Sequence, residues 1–164
     1  MRYNELTFQG RNAVLEAFRS GKTIDKLFIL DGCQDGPIKS IVREAKKTDA
    51  IINYVDKERL DRLAGTGHHQ GVVAIGAAYE YAEVDDILAS AKEKGEDPFI
   101  FILDEIEDPH NLGAIIRTAN LAGAHGVIIP KRRAVGLTAT VAKTSAGAIN
   151  YTPVAKVTNI SQTI

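Results

Sequence analysis

The chain has 164 residues, of which 45% are hydrophobic and 25% are charged, with one cysteine and a formal net charge of −1. This length suits one domain or two small ones, and the composition is ordinary for a globular protein. The single cysteine, Cys33, excludes an intramolecular disulfide, and no apolar run approaches the length of a membrane span. We therefore expect a cytoplasmic protein that does not cross a membrane.

Charge is unevenly distributed along the chain. Residues 1–78 hold twelve basic residues (Lys or Arg) and ten acidic ones (Asp or Glu). Residues 79–110 hold two basic and eleven acidic residues, and residues 111–164 hold six basic residues and no acidic one. Such asymmetry indicates either an anionic partner or a fold in which the acidic segment packs back onto the basic one. Charge alone leaves both interpretations open.

The first part of the chain alternates predicted helices with apolar strands. Helices are predicted over residues 10–22, 38–47 and 57–64, and strands over 26–30, 51–55 and 72–78. Pro37 lies where the second helix should start, and Asp56 can cap the third. This alternation predicts a compact α/β layer structure. Residues 79–97 hold one acidic helix and are interpreted as a linker.

The second part begins with "PFIFIL" at 98–103, a continuous apolar run that is typical of a strand buried on both faces. A turn with four acids follows, then a helix over 111–122 and the apolar strand "GVIIP". This order predicts a β-α-β unit with a parallel sheet. Open parallel sheets bind ligands beyond the carboxyl ends of their strands, so residues 104–111 are a candidate site.

Within that helix the apolar residues form one stripe, and Arg117 lies well off it. The stripe comprises Leu112, Ile115, Ile116 and Ala119. We expect Arg117 to emerge near the top of the helix, beyond the sheet edge, where it is either a solvated surface residue or part of a site. Asn111 is either an ordinary helix cap or a ligand-binding group.

The segment "LDEIEDPHNLGAIIRTANLAGAHGVIIP" closely resembles the first motif of the SpoU-type branch of the SPOUT methyltransferases. The matching residues, in order, are Asp108, Pro109, Asn111, Gly113, Arg117, Thr118 and Ala119. The stretch "KTSAGA" at 143–148 resembles the family segment that follows. The resemblance implies an α/β protein with a parallel-sheet, trefoil-knotted catalytic domain. It also implies ribose 2′-O-methylation of RNA with S-adenosylmethionine as cofactor, usually in a homodimer.

The N-terminal part is similar to the small RNA-binding domain that the ribosomal-RNA group of this family carries. The likeness rests on "GRNAVLEAFRSGK" and "HHQGVVA". It implies an RNA-substrate-binding domain over 1–78, a linker over 79–97 and a partial methyltransferase domain over 98–164. Polar groups at the helix start and in the Gly-rich loop suit RNA phosphates and unstacked bases, although simple capping and turn chemistry is the alternative. The candidate residues are Arg11, Asn12, His69 and Gln70.

The family assigns its first-motif Arg, here Arg117, to activation of the ribose hydroxyl. An arginine is a poor base, so we expect an electrostatic role in which Arg117 holds a phosphate or stabilises the developing alkoxide. Asn111 would bond the ribose or orient Arg117. The run Lys131, Arg132 and Arg133 follows a strand end, where phosphate contact is an alternative to a solvated face. We expect no metal, because the histidines and Cys33 lack zinc-ligand spacing.

The later family motifs, which form the knot and the cofactor pocket, have no counterpart among these residues. From the resemblance we expect an N-terminal fragment that binds no cofactor within this chain and is inactive by itself. Two alternatives are a stand-alone RNA-binding module and a Rossmann-type nucleotide-binding enzyme, and the second is disfavoured because the turn after "FIFIL" lacks G-x-G-x-x-G. The substrate is expected to be 23S ribosomal RNA, with transfer RNA as the alternative.

Overall fold

The computed structural model describes residues 6–48, 50–65 and 67–164. The chain divides into two compact units, Glu5–Ala77 and a second that contains Ala78–Ile164. None of the helices in the described ranges has the length and apolar character needed to cross a bilayer.

In its described residues, the first unit has a four-stranded mixed sheet and three helices. Its elements are β1 (Leu6–Gln9), α1 (Arg11–Arg19), β2 (Ile24–Leu30), α2 (Gly36–Lys47), β3 (Ile51–Val55), α3 (Lys57–Ala64) and β4 (Val72–Gly76). The strand order is β1-β4-β2-β3, in which β2 and β3 are parallel and the other pairs are antiparallel. The predicted α/β layer structure of this part is confirmed, and β1 is a strand that the sequence did not predict.

Helix starts in the first unit follow the predicted chemistry. Pro37 lies in the first turn of α2, and the Asp35 side chain accepts a hydrogen bond from the backbone N–H of Ile38. Asp56 caps α3 by accepting from the N–H of Arg59 at 2.8 Å. Asp35 and Asp56 each satisfy a donor that the helix itself leaves free.

The second unit is built around a three-stranded parallel sheet of order β5-β6-β7. Its elements are α4 (Val84–Lys94), β5 (Ile100–Ile102), α5 (Pro109–Leu121), β6 (Gly126–Pro130), α6 (Ala139–Thr144), a short 3-10 helix (Ala148–Asn150), β7 (Val154–Val157) and α7 (Ile160–Thr163). The predicted β-α-β unit with a parallel sheet is therefore confirmed.

Two expectations for this unit differ from the structure. The run at 98–103 was expected to be buried on both faces, but β5 is an edge strand in which Ile102 is 40% exposed. The fully buried strand is instead the central β6. Residues 79–97 were expected to be a linker, but they group with the second unit, and Ile87 of α4 is completely buried against Ile128 and Ala155. The helix is therefore held by its apolar face.

Candidate functional site

The acidic turn that precedes α5 is largely explained by local contacts. Asp108 caps α5 by accepting from the N–H of Asn111 at 2.8 Å, and Pro109 occupies the first turn. Asp104 accepts from the N–H of Glu105 at 3.0 Å. Glu107 is exposed and makes no hydrogen bond or ion pair among the described residues. The helix cap is thus Asp108, and the capping alternative for Asn111 is wrong.

Asn111 and Arg117 both lie on the exposed surface of α5, without a hydrogen bond or ion pair to any described residue. They are six residues apart, which separates them by roughly 9 Å along the helix axis and roughly 120° around it. The off-stripe placement of Arg117 is as predicted. Its position along the helix axis differs from the prediction. Arg117 lies about two turns after the N-terminus of α5, and not close to that end. The two side chains therefore offer separate contacts to a ligand.

Gly113 lies where α5 and α6 approach each other closely. A Cβ at this position would stand 1.8 Å from Thr144 Oγ1 and 2.9 Å from the carbonyl oxygen of Val141. Gly113 itself is buried. The close approach at Gly113 is therefore one between helices, and it brings Thr144 of the segment "KTSAGA" against α5.

The loops that follow β5 and β6 are tied together at the carboxyl edge of the sheet. Arg133 Nη1 lies 2.6 Å from Glu105 Oε1, and the N–H of Val135 donates to the carbonyl of Ile106 at 2.8 Å. The paired side chains are 74% and 62% exposed, so the ion pair contributes little to stability. An acid of the acidic segment does fold back onto the basic one here.

The three consecutive cations after β6 differ in their surroundings. Arg133 is paired with Glu105, whereas Arg132 is exposed and without a polar partner among the described residues. Lys131 is half-buried, and its backbone N–H donates to the carbonyl of Val157 at 2.8 Å. Arg132 is thus the exposed cation of this run that has no acidic partner among the described residues.

In the first unit, the start of α1 and the Gly-rich loop form one polar site. Gln70 Oε1 accepts from the backbone N–H of Arg11 at 3.0 Å, and the Gln70 carbonyl accepts from Arg11 Nε at 3.2 Å. Arg11 also forms an ion pair with Asp35. Asn12 joins Arg11 and Gln70 in lining a cavity of about 550 Å³. The structure therefore brings together three of the four residues that the sequence placed in this group.

His69, the fourth, is turned inward. Its side chain is 7% exposed, its Nδ1 accepts from the N–H of Gly71 at 3.0 Å, and its Nε2 lies 2.9 Å from Asp61 Oδ1. Because Nδ1 accepts, Nε2 carries the proton and donates to Asp61. Both ring nitrogens are therefore used within the unit, and His69 fixes the loop rather than facing a ligand.

Backbone strain coincides with these segments. Among the described residues, four without a glycine's freedom adopt positive φ: Gln70, Glu105, Arg133 and Ala146. Three lie in the loops just described, and Ala146 lies in "KTSAGA". Such conformations are costly for non-glycine residues and cluster at functional loops. Sequence reasoning could not predict these conformations, because none of the four residue types requires a positive φ.

The described part of the chain contains no group of three or more His, Cys, Asp or Glu side chains placed to hold a metal. His125, like His69, is a buried structural residue. Its Nδ1 accepts from the N–H of Phe99 at 3.0 Å, and its Nε2 lies 2.9 Å from Glu96 Oε2. Sequence reasoning found neither pairing: the partners of His125 are 26 and 29 positions away, and Asp61, eight positions from His69, is brought to it by the Gly-rich loop after α3.

Two family models match the chain in order. Residues 9–82 match the model described as "RNA 2'-O ribose methyltransferase substrate binding", and residues 98–164 match the one described as "SpoU rRNA Methylase family". The first range contains Arg11, Asn12 and Gln70, and the second contains Asn111 and Arg117.

Curated relatives give the same family. A Bacillus subtilis protein assigned to the TrmH family of tRNA/rRNA methyltransferases is 54% identical over 155 residues, which covers 94% of this chain and 62% of the relative. A Staphylococcus haemolyticus protein assigned to that family is 49% identical over 160 residues, which covers 98% of this chain and 64% of the relative. The chain thus spans a little over three fifths of the length of these relatives.

Solved structures show a weaker likeness. The rRNA methyltransferase of Sinorhizobium meliloti with bound AdoMet is 23% identical, with a TM-score of 0.43, over 95% of this chain and 56% of that chain. The SpoU methyltransferase AviRb of Streptomyces viridochromogenes in complex with AdoMet is 21% identical, with a TM-score of 0.45. The match covers 97% of this chain and 56% of that chain.

Proposed function

Because this chain belongs to the SpoU family of the TrmH type, we propose that it is part of an S-adenosylmethionine-dependent RNA ribose 2′-O-methyltransferase. The observation that carries the proposal is the order of the two matched ranges, a substrate-binding part followed by a methylase part. Arg117, which is exposed on α5 and makes no ion pair with any described residue, supports it from the geometry.

Arg117 is the residue proposed to act on the ribose hydroxyl. Such a hydroxyl is almost wholly protonated at neutral pH, and methyl transfer requires in-line attack, so positioning and electrostatic stabilisation carry the catalysis. A guanidinium keeps its charge in proteins and binds phosphate or an alkoxide through several N–H groups. Arg117 is free to do so, since no described acid neutralises it.

Asn111 is proposed to contact the ribose. Its separation from Arg117, roughly 9 Å along the axis and roughly 120° around it, favours a contact of its own over orientation of the guanidinium. The cap by Asp108 places Asn111 in the first turn of α5, at the carboxyl edge of the sheet. One amide can there donate to and accept from a ribose.

The first unit is proposed to bind the RNA substrate through Arg11, Asn12 and Gln70. Arg11 supplies charge for a phosphate when its exposed ion pair with Asp35 opens, and the exposed amides can bond base edges. His69 contributes by holding the loop that carries Gln70. Arg132 is proposed to add a phosphate contact from the second unit, with Lys131 beside it and Arg133 available if its exposed pair with Glu105 opens.

S-adenosylmethionine, when bound, supplies a methyl group on a sulfonium. At the carboxyl edge of β5 and β6, Ile102 is half-exposed and the ion pair of Glu105 and Arg133 faces solvent. This edge is therefore an open surface, and not a pocket that encloses a ligand. These residues do not fit the cofactor by themselves, so we assign none of them to it. We propose that residues 1–164 alone neither bind it nor methylate RNA.

The finer features are proposed from the family resemblance. Ribosomal RNA, specifically 23S, is the proposed substrate and transfer RNA the alternative, since the curated relatives are assigned to both. A homodimer in the cytoplasm that uses no metal is proposed. A stand-alone RNA-binding module is the second candidate, which the match of residues 9–82 to the substrate-binding model favours.

The test is methyl transfer by a full-length protein that contains this chain. Purified protein is incubated with radiolabelled S-adenosylmethionine and with undermethylated 23S ribosomal RNA or total transfer RNA. Label is then mapped by resistance of the modified ribose to alkaline cleavage. Incorporation into a ribose of either RNA supports the enzyme. RNA binding without incorporation would favour the stand-alone module.

A further inference from the structure

A second cavity of the first unit lies outside the site already described. It has a volume of about 420 Å³ and runs along α2. Ile38 and Val42 form its apolar part, and Ile38 is almost completely buried. We call this surface the α2 groove.

The charged residues that line the α2 groove are all cations: Lys39, Arg43 and Lys46. Their spacing of four and three residues puts them on one face of the helix, over about 10 Å of its axis. All three are exposed, and none makes an ion pair with a described residue. The groove is therefore a line of exposed positive charge above an apolar floor.

Nearby acids are occupied elsewhere. Glu44 Oε1 accepts from Lys47 Nζ at 3.0 Å, and this hydrogen bond lowers the pKa of the Glu44 carboxyl. Asp35 is paired with Arg11 and caps α2. Neither carboxylate lines the groove, so the positive field there is left for an anionic ligand.

Tyr54 forms the aromatic part of the groove. It is on β3, the edge strand of the sheet, and is 57% exposed. An exposed aromatic ring beside cations matches the surfaces on which single-stranded nucleic acids stack their bases while cations follow the backbone. A duplex hides its bases and gains nothing from such a ring.

The α2 groove also adjoins the site at Arg11 and Gln70. Cys33 lines both cavities, and Pro37 of the first-described cavity is next to Ile38 of the groove. A strand held at Arg11 can therefore continue into the groove without leaving the surface of the unit.

From this geometry we infer that the α2 groove binds a single-stranded segment of RNA, with phosphates on Lys39, Arg43 and Lys46 and a base stacked on Tyr54. The inference rests on the proposed RNA-binding function and extends it to a second surface. It predicts that the substrate has an unpaired segment beside the bases held at Arg11 and Gln70.

The test measures binding of a fluorescein-labelled oligouridylate of about 12 nucleotides to the 164-residue chain by anisotropy, at several salt concentrations. Tyr54→Leu should raise Kd about 5- to 100-fold with little change in the salt slope, and Tyr54→Phe should bind like the unaltered chain. Replacing Lys39, Arg43 and Lys46 by Gln should weaken binding and reduce the log-log salt slope by about 2.

A matched control removes three cations from another helix of the same unit. Lys57, Arg59 and Arg62 of α3 are exposed, and their Gln triple variant should bind nearly as the unaltered chain does. Thermal melts by circular dichroism check that every variant folds. Equal losses in the two triple variants, or a duplex that binds as tightly as the single strand, would overturn the inference.

Two further outcomes separate the possible failures. If the unaltered chain binds the oligonucleotide and the groove variants bind equally well, the groove inference fails alone. If the unaltered chain does not bind it, the RNA role of the first unit fails as well, while methyl transfer by the full-length protein remains a separate measurement. Polyglutamate binding that equals RNA binding and depends equally on Tyr54 would instead indicate an acidic protein partner.

Discussion

Arg11 and Gln70, which are 59 positions apart in sequence, are joined twice: the Arg11 backbone N–H donates to Gln70 Oε1 at 3.0 Å, and Arg11 Nε donates to the Gln70 carbonyl at 3.2 Å. The first contact satisfies a free donor at the start of α1. The second contact holds the Arg11 guanidinium against the backbone of the Gly-rich loop. The pair thus holds the helix start and the Gly-rich loop as one polar surface.

We predict that Arg11→Gln weakens RNA binding and lowers the log-log salt slope by about 0.7, because one phosphate contact is lost. Gln70→Ala should weaken binding several-fold and lower the free energy of unfolding by about 1 kcal/mol, since an N–H loses its acceptor. Anisotropy titrations measure the affinity and salt slope of both variants, and urea denaturation measures their free energy of unfolding. Arg59→Gln, an exposed change on α3, is the control, and a similar loss of affinity there would refute a specific role for Arg11.

Arg117→Ala in a full-length protein should reduce single-turnover methylation by about 100-fold or more. Stability should change by less than about 0.5 kcal/mol, because Arg117 is exposed and makes no described polar contact. Rapid-quench assays give the rate and thermal melts the stability. Lys94→Ala, at the exposed end of α4, is the matched loss of a cation. A near-normal rate for Arg117→Ala would rule out the assignment.

Gly113→Ala should destabilise the second unit by about 1 to 3 kcal/mol, because the added methyl overlaps Thr144 and meets the backbone carbonyl of Val141. Denaturant unfolding measures the change. Gly36→Ala is the control, since a Cβ there meets nothing within 4 Å. The clash at Gly113 would be disproved by a variant as stable as the parent chain.

Asp108→Ala should cost about 1 kcal/mol of stability through loss of the cap on α5, whereas Asp108→Asn should retain most of it. The measurement is again chemical denaturation. Glu107→Ala, at an exposed neighbouring acid with no described partner, should be neutral. Equal effects of the Asp108 and Glu107 changes would mean that general charge, and not the cap, explains the loss.

Calorimetric titration of the 164-residue chain with S-adenosylmethionine should show no micromolar binding, with a full-length protein as the positive control. The reason is the open character of the sheet edge at Ile102 and Arg133. A ligand of this size needs a site that covers most of its surface. Micromolar affinity of the chain would place the cofactor site within these residues.

Local features of the fold were accessible from the sequence. The strand 51–55, the caps and prolines at Asp56 and Pro37, and the outward placement of Arg117 on α5 all follow from periodicity and turn chemistry within a few residues. Three of the four candidate residues of the first site, Arg11, Asn12 and Gln70, also line one cavity, because a helix start and a Gly-rich loop both expose polar groups.

Long-range packing decided the rest. Apolar content alone could not tell the edge strand β5 from the buried central strand β6, because strand order depends on pairings between distant segments. For the same reason the burial of His69 and His125 beside carboxylates, and the fit of Gly113 against Thr144, required the tertiary structure. Each of these contacts joins groups that only folding brings within a few ångströms of each other. The free energy of such a contact is therefore gained only in the folded chain.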